Sequence, residues 1–167
     1  MRMASEKKRA CGGCTLCCFV FEVKTEDGVL TKPQEWCKNC LVGSGCKVFD
    51  TTVPAVCEQW NCAWLEGMGT EDHRPDRTQV VMHWRLGKLG RTLEMLEGTP
   101  GALSSDYAKQ VTNDFAVRQR VPVIHFHADG RRQYVVMEGI VISEKEKAEF
   151  EREKIEIIFL PEQIQAS

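Results

Sequence analysis

Cys11-Gly12-Gly13-Cys14-Thr15-Leu16-Cys17-Cys18 opens a run of cysteines that continues through Cys37-Lys38-Asn39-Cys40, Cys46 and Cys57 to Cys62. These are all nine cysteines of a 167-residue chain, and none follows Cys62. A two-residue gap between cysteines lets a tight turn aim both sulfurs at one ion. Thiolates without a matching set of histidines are soft ligands, which select zinc or an iron–sulfur cluster over hard cations. Cys11, Cys14, Cys17, Cys18, Cys37, Cys40, Cys46, Cys57 and Cys62 are therefore all candidate metal ligands.

Two metals compete for this pattern. Cys11-x2-Cys14 and Cys37-x2-Cys40, with 22 residues between them, have the form of a zinc ribbon. Nine cysteines suffice for two four-thiolate zinc sites with one left over. Cys11-x2-Cys14-x2-Cys17 equally repeats the first three ligands of a bacterial ferredoxin run. Phe21 and Glu22 stand where that run would continue with cysteine and proline. The spacing leaves zinc and iron–sulfur both open.

Composition narrows the setting. With 43% apolar and 28% charged residues, the chain has the balance of a globular protein. A net charge of −2 supplies no basic field to gather nucleic acid. The short run Lys7-Lys8-Arg9 reads as a solvated tail. No apolar stretch approaches the ~20 residues that span a bilayer. MRMASEKKRA has no apolar segment behind its charges, so a secretory signal is not expected and a cytoplasmic location is. A reducing cytosol disfavours structural disulfides, which again directs the cysteines toward metal.

Around the cysteines the chain reads as loop-rich, with Phe19–Val23 and Lys47–Phe49 as its strand-like pieces and Asp27-Gly28 as a turn. Pro54 opens an expected helix reaching Gly67 or Gly69, capped from Asp50, Thr51 or Thr52. On an unbroken helix Cys57 and Cys62 would point about 140° apart, so either the helix breaks or they serve different partners. So little apolar material needs a bound metal for stability. From residue 70 the pattern changes. Val80, Met82, Trp84 and Leu86 alternate as in a strand, Gly87-Lys88-Leu89-Gly90 turns, and Arg91–Leu96 returns. A helix over 104–119 buries Tyr107, Val111 and Phe115; Asp129-Gly130 joins strands at 121–128 and 132–138. Ser143 and Glu146 box a charged helix to Lys154, and Ile155–Leu160 forms a last strand. The expectation is an α+β protein: a metal-stapled cysteine region over 1–69, packed with a small antiparallel sheet and two helices over 70–167, in two regions or one continuous domain.

The pieces CGGCTLCC at 11–18, KPQEWCKNC at 32–40, GSGCKVF at 43–49 and PAVCEQWNCAWL at 54–65 carry a resemblance. Residues 11–65 resemble the zinc- or iron-chelating CxxCxxCC domain family, also called YkgJ-like. The chain departs from it at Val53-Pro54, where Arg-Pro is usual. The resemblance implies a small cytosolic metal-binding protein, and one branch of the family resembles flagellin lysine methylases that carry a cluster. Arg74-Pro75-Asp76 and the turn at 97–102 look like a C-terminal extension shared by some relatives.

Other residues carry weaker signals. His125 and His127 share one side of a strand, a spacing that can chelate, but no third ligand accompanies them and a surface or core role is the better reading. Gly43-Ser44-Gly45 is too short for a phosphate loop and reads as a turn facing amides toward sulfur. No catalytic residue emerges from spacing. The leading expectation is a metal-binding accessory or binding module, holding zinc or an iron–sulfur cluster and serving an unidentified protein partner or substrate. The alternative is an iron–sulfur redox protein or a component of a methyltransferase-like modification enzyme.

Overall fold

Short elements tied by turns make up the chain to Arg77, and a five-stranded sheet with its helices makes up the unit from Thr78 onward. The structure is a computed structural model that describes residues 9–26, 28–87 and 90–162. Lys7, Lys8, Asp27, Lys88 and Leu89, which belong to three of the expected tail and turn features, lie outside the described residues.

Among the described residues of the first unit no regular element exceeds five residues. Helix α1 spans Cys17–Val20, so the expected strand at 19–23 is displaced to β1, Val23–Thr25, which pairs antiparallel with β2, Gly28–Thr31. Hydrogen bonds from Phe19 and Val20 N–H to the Leu16 carbonyl close that helical turn where alternation had suggested a strand. β3 (Cys40–Leu41) and β4 (Gly45–Cys46) form a two-rung hairpin, and the expected strand at 47–49 is instead a turn leading out of it. Helix α2 covers only Ala55–Gln59, because Trp60 turns extended at φ −84° and ψ 131°. The expected single helix from Pro54 to Gly67 is thus broken between Cys57 and Cys62. Helix α3 follows at Pro75–Thr78.

The second unit carries β5 (Val80–Gly87), β6 (Gly90–Glu97), α4 (Asp106–Asn113), β7 (Val123–Phe126), β8 (Arg132–Met137), α5 (Glu144–Glu153) and β9 (Ile155–Leu160). The strands lie side by side in chain order. β5–β6 and β7–β8 are antiparallel hairpins, whereas β6–β7 and β8–β9 are parallel. The α+β class holds, but the sheet is mixed and larger than the small antiparallel one expected. The reason is mechanical: parallel neighbours need a long crossover, and α4 and α5 provide the two crossovers.

Both α4 and α5 begin on a serine. The Ser105 hydroxyl accepts from Ala108 N–H at the start of α4, which runs on into a wider turn of π geometry at Asp114–Arg118. Ser143 and Glu146 form the expected capping box on α5, and the Glu144–Lys147 pair closes at 2.7 Å. α5 and the segment before it cover one sheet face, where Ile124, Tyr134, Val136, Ile142 and Phe150 make a buried cluster. The Tyr134 and Phe150 rings stack there at 4.6 Å. α4 and the π turn after it lie on the opposite face, where Thr112 reaches Met95 and Phe115 of the turn is edge-on to Trp84 at 5.2 Å.

Candidate metal centre

Both CxxC stretches fold as tight turns. Cys14 N–H donates to the Cys11 carbonyl and Cys40 N–H to the Cys37 carbonyl, each at 2.9 Å. The two turns are drawn together by local chemistry. Cys37 N–H donates to the Cys18 carbonyl at 3.0 Å, and Gly43 N–H donates to the Thr15 hydroxyl at 3.1 Å. Gly43, at φ 75°, turns the β3–β4 hairpin, and its carbonyl oxygen would lie 2.7 Å from a Cβ at position 13. Gly13 is therefore needed for a close approach of two backbones. Across the same hairpin Cys40 faces Cys46 directly.

The thiols gather in two groups, all of them free of disulfides. The Cys17 thiol and burial raise the Cys18 thiol, and the neighbouring Cys40 thiol opposes that rise. Burial and then the charge of Cys18 push the Cys40 thiol up to about 11, with Cys37 adding to the rise and the Thr15 hydroxyl opposing it. Cys57 is raised by burial and then by Cys18, Cys37 and Cys46. Cys17, Cys18, Cys37, Cys40, Cys46 and Cys57 thus form one neighbourhood. The second comprises Cys11, Cys14 and Cys62: burial raises Cys11, followed by Cys62, Cys14 and, more weakly, Cys18. The break after α2 sends Cys57 to the first group and Cys62 to the second. Among the described residues, no three histidine, cysteine or acidic side chains close on a common point in ligand geometry.

A shell of polar contacts surrounds the second group. Burial is the main influence on Cys14 and raises it, while backbone N–H groups of Leu16 and Asp76 donate to it and oppose that rise. Arg74 grips Asp76 through both carboxylate oxygens at 2.7 and 2.8 Å. The guanidinium hydrogen bonds hold the Asp76 carboxyl below the usual carboxylate range. Cys62 is raised by burial and receives backbone donors from Leu65 and Trp64. Arg9 ties the Cys62 loop by donating to the carbonyls of Trp64, Met68 and Gly69 at 2.6–2.9 Å. Thr15, Arg9 and Asp76 escaped the sequence reading as site residues, since a hydroxyl or guanidinium distant in sequence carries no spacing signal. The resemblance at 74–76 was the one pointer to Asp76.

Donor chemistry fits a thiophilic metal. Soft sulfurs predominate, amide hydrogens are directed at two of them, and no histidine is among the groups described around either set. His73 instead accepts from Thr70 N–H at 3.1 Å, and His83 sits 2.7 Å from Glu94.

His125 and His127 are committed to hydrogen bonds. Thr112 Oγ1 donates to the Ala108 carbonyl at 2.8 Å, so His125 Nε2, also at 2.8 Å, donates to Thr112. His127 Nε2 donates to Gln133 Oε1 at 2.8 Å. Burial, and then the neighbouring His127, pull His125 down to about 4, against the opposing effects of Gln133 and Glu97. The unfolded chain therefore takes up a proton on this ring between pH 6.5 and 4 that the fold refuses. Stability is full above 6.5 and falls as pH drops through that window, by about 3 kcal/mol at its lower end. Denaturant titrations of wild type and His125→Gln should converge in slope below pH 4 and differ between 4 and 6.5. Parallel pH profiles across the whole range would sink this account.

No family model matches the chain, and neither a curated protein nor a solved structure matches it significantly. No helix among the described residues is long and apolar enough to cross a membrane.

Proposed function

We infer that residues 11–65 bind a thiophilic metal, as zinc or an iron–sulfur cluster, through cysteine thiolates, and that the protein is a cytoplasmic binding or accessory module. The observation that carries this reading is the gathering of nine free thiols into two adjoining groups within one unit. A thiol pushed up by burial and by like neighbours is costly to ionise unless a cation shares the site. Metal binding would release those protons, so affinity should fall as pH falls. The six-thiol group exceeds the four ligands that one structural zinc accepts. Two ions, or one cluster with thiols in reserve, match that number better. The resemblance at residues 11–65 supports the same reading.

The test is purification without oxygen, followed by absorbance near 400 nm and analysis of metal and sulfide. Iron with sulfide and a brown colour identifies a cluster. One or two zinc ions in a colourless protein identify zinc sites. A metal-free protein whose thiols all react with Ellman's reagent, and which takes up neither metal on reconstitution, overturns the proposal.

A further inference from the structure

Thr112 of α4 rests on Met95 of β6 and His125 of β7, and α4 residues 109, 110 and 113 flank a cleft with β8 and β9. The resulting cleft measures about 520 Å³, within the ~300–1,000 Å³ of small-molecule sites. Its sheet wall is apolar, made by Val135, Ile158 and Leu160, the last two half-buried. Its helix wall carries Lys109, Gln110 and Asn113, whose side chains have no hydrogen-bond partner among the described residues. His125, Thr112 and Gln133 also line it, already hydrogen-bonded as described above and, with the histidine neutral, uncharged.

Charge is distributed unequally in this cleft. Among the described residues no acidic side chain lines it, and Lys109 is the one formal cation in the lining. Glu156 of β9, outside the lining, accepts from Gln133 Nε2 at 2.8 Å, so the negative charge beside the cleft sits at its Gln133 wall and the positive charge at Lys109. A ligand must therefore present its anion to Lys109 and Asn113 and its apolar body to Ile158 and Leu160. We propose that this cleft between α4 and the β8–β9 half of the sheet binds a small amphipathic monocarboxylate. The acyl chain lies on β9, and the carboxylate meets the Lys109 ammonium with a carboxamide beside it. This inference does not depend on the metal centre.

Octanoate is a suitable probe, titrated into the full-length protein and followed by amide chemical shifts. The expected result is saturable binding with Kd below about 1 mM. Shift changes should be confined to residues 103–113, 133–135 and 158–160. Hexanoate should bind roughly tenfold more weakly, since each buried CH2 contributes about three- to fourfold in affinity. Lys109→Glu, an exposed change, should weaken octanoate by about tenfold or more while octylamine, weak on wild type, gains affinity. No saturation at several millimolar, shifts scattered elsewhere, or equal binding of octanoate and octylamine to wild type would each overturn the proposal. Because the shift map is read on the unaltered protein, a failure of the variant to fold leaves the test intact.

Discussion

If residues 11–65 hold the proposed metal, stripping it from anaerobically purified protein should unfold them while residues 78–162 keep their structure. The first unit has little else to hold it. Among its described residues the longest regular element is five residues, and the buried apolar side chains, which include Leu16, Val20, Ala63 and Trp64, lie on short elements and turns. A structural metal typically contributes about 10–16 kcal/mol of apparent binding free energy to a fold of this kind. Removing it would leave several thiols buried beside one another, in a unit held by short turns such as Cys11–Cys14 and Cys37–Cys40 and by single contacts such as Cys37 N–H to the Cys18 carbonyl. Hydrogen exchange read by mass spectrometry should show protection lost in peptides from the cysteine region. Peptides containing Ile124, Tyr134, Val136 and Phe150 should be unchanged. Equal protection of both regions after verified metal removal would mean that the metal does not staple this unit.

The second large effect is expected at Glu97, which lies at the end of β6 with its side chain 4% exposed. One carboxylate oxygen accepts from Leu103 N–H at 3.1 Å and the other from Ala128 N–H at 2.9 Å. The same oxygen lies 3.7 Å from His127 Nδ1. A single side chain thereby latches the segment after β6 to the β7–β8 hairpin. Glu97→Ala strands two backbone donors, at about 1–3 kcal/mol each, and should cost about 2–5 kcal/mol in all. That is a large part of the ~5–15 kcal/mol available to an ordinary domain. Glu97→Gln should recover only part of the loss, because its oxygen can serve one N–H while its amide hydrogens oppose the other. Denaturant melts give the magnitude, and exchange at Leu103 and Ala128 locates it. Full protection of both amides in the alanine variant would rule the latch out.

Glu97 also shows where sequence reading stopped. The alternation over 80–86, the Asp129-Gly130 hairpin and the Ser143–Glu146 box are local patterns, and each folds as its chemistry dictates. Glu97 offers no such pattern: its partners are six and 31 residues away. The parallel pairings of β6 with β7 and β8 with β9 were equally hidden, since alternation states which residues share a face but not which strand lies alongside. Trp60 went unread for a related reason. Nothing in residues 55–65 forbids a helix, and the break follows from the extended backbone at Trp60, whose indole packs edge-on against the Phe21 ring at 4.7 Å.

For the cysteines the division is sharper. Sequence alone determined that thiol chemistry is confined to residues 11–62 and that each CxxC can turn on itself, because a two-residue gap is a property of short chain geometry. It also determined that Cys57 and Cys62 could not serve one ion from a single helix. Tertiary structure alone decided which sulfurs are neighbours: Cys18 with Cys17 and Cys40, Cys57 with that group, and Cys62 with Cys11 and Cys14. Those neighbours depend on loops of many residues closing through contacts such as Cys37 N–H to Cys18 and Gly43 N–H to Thr15. Closure of that kind is set by the whole fold, and spacing along the chain does not encode it.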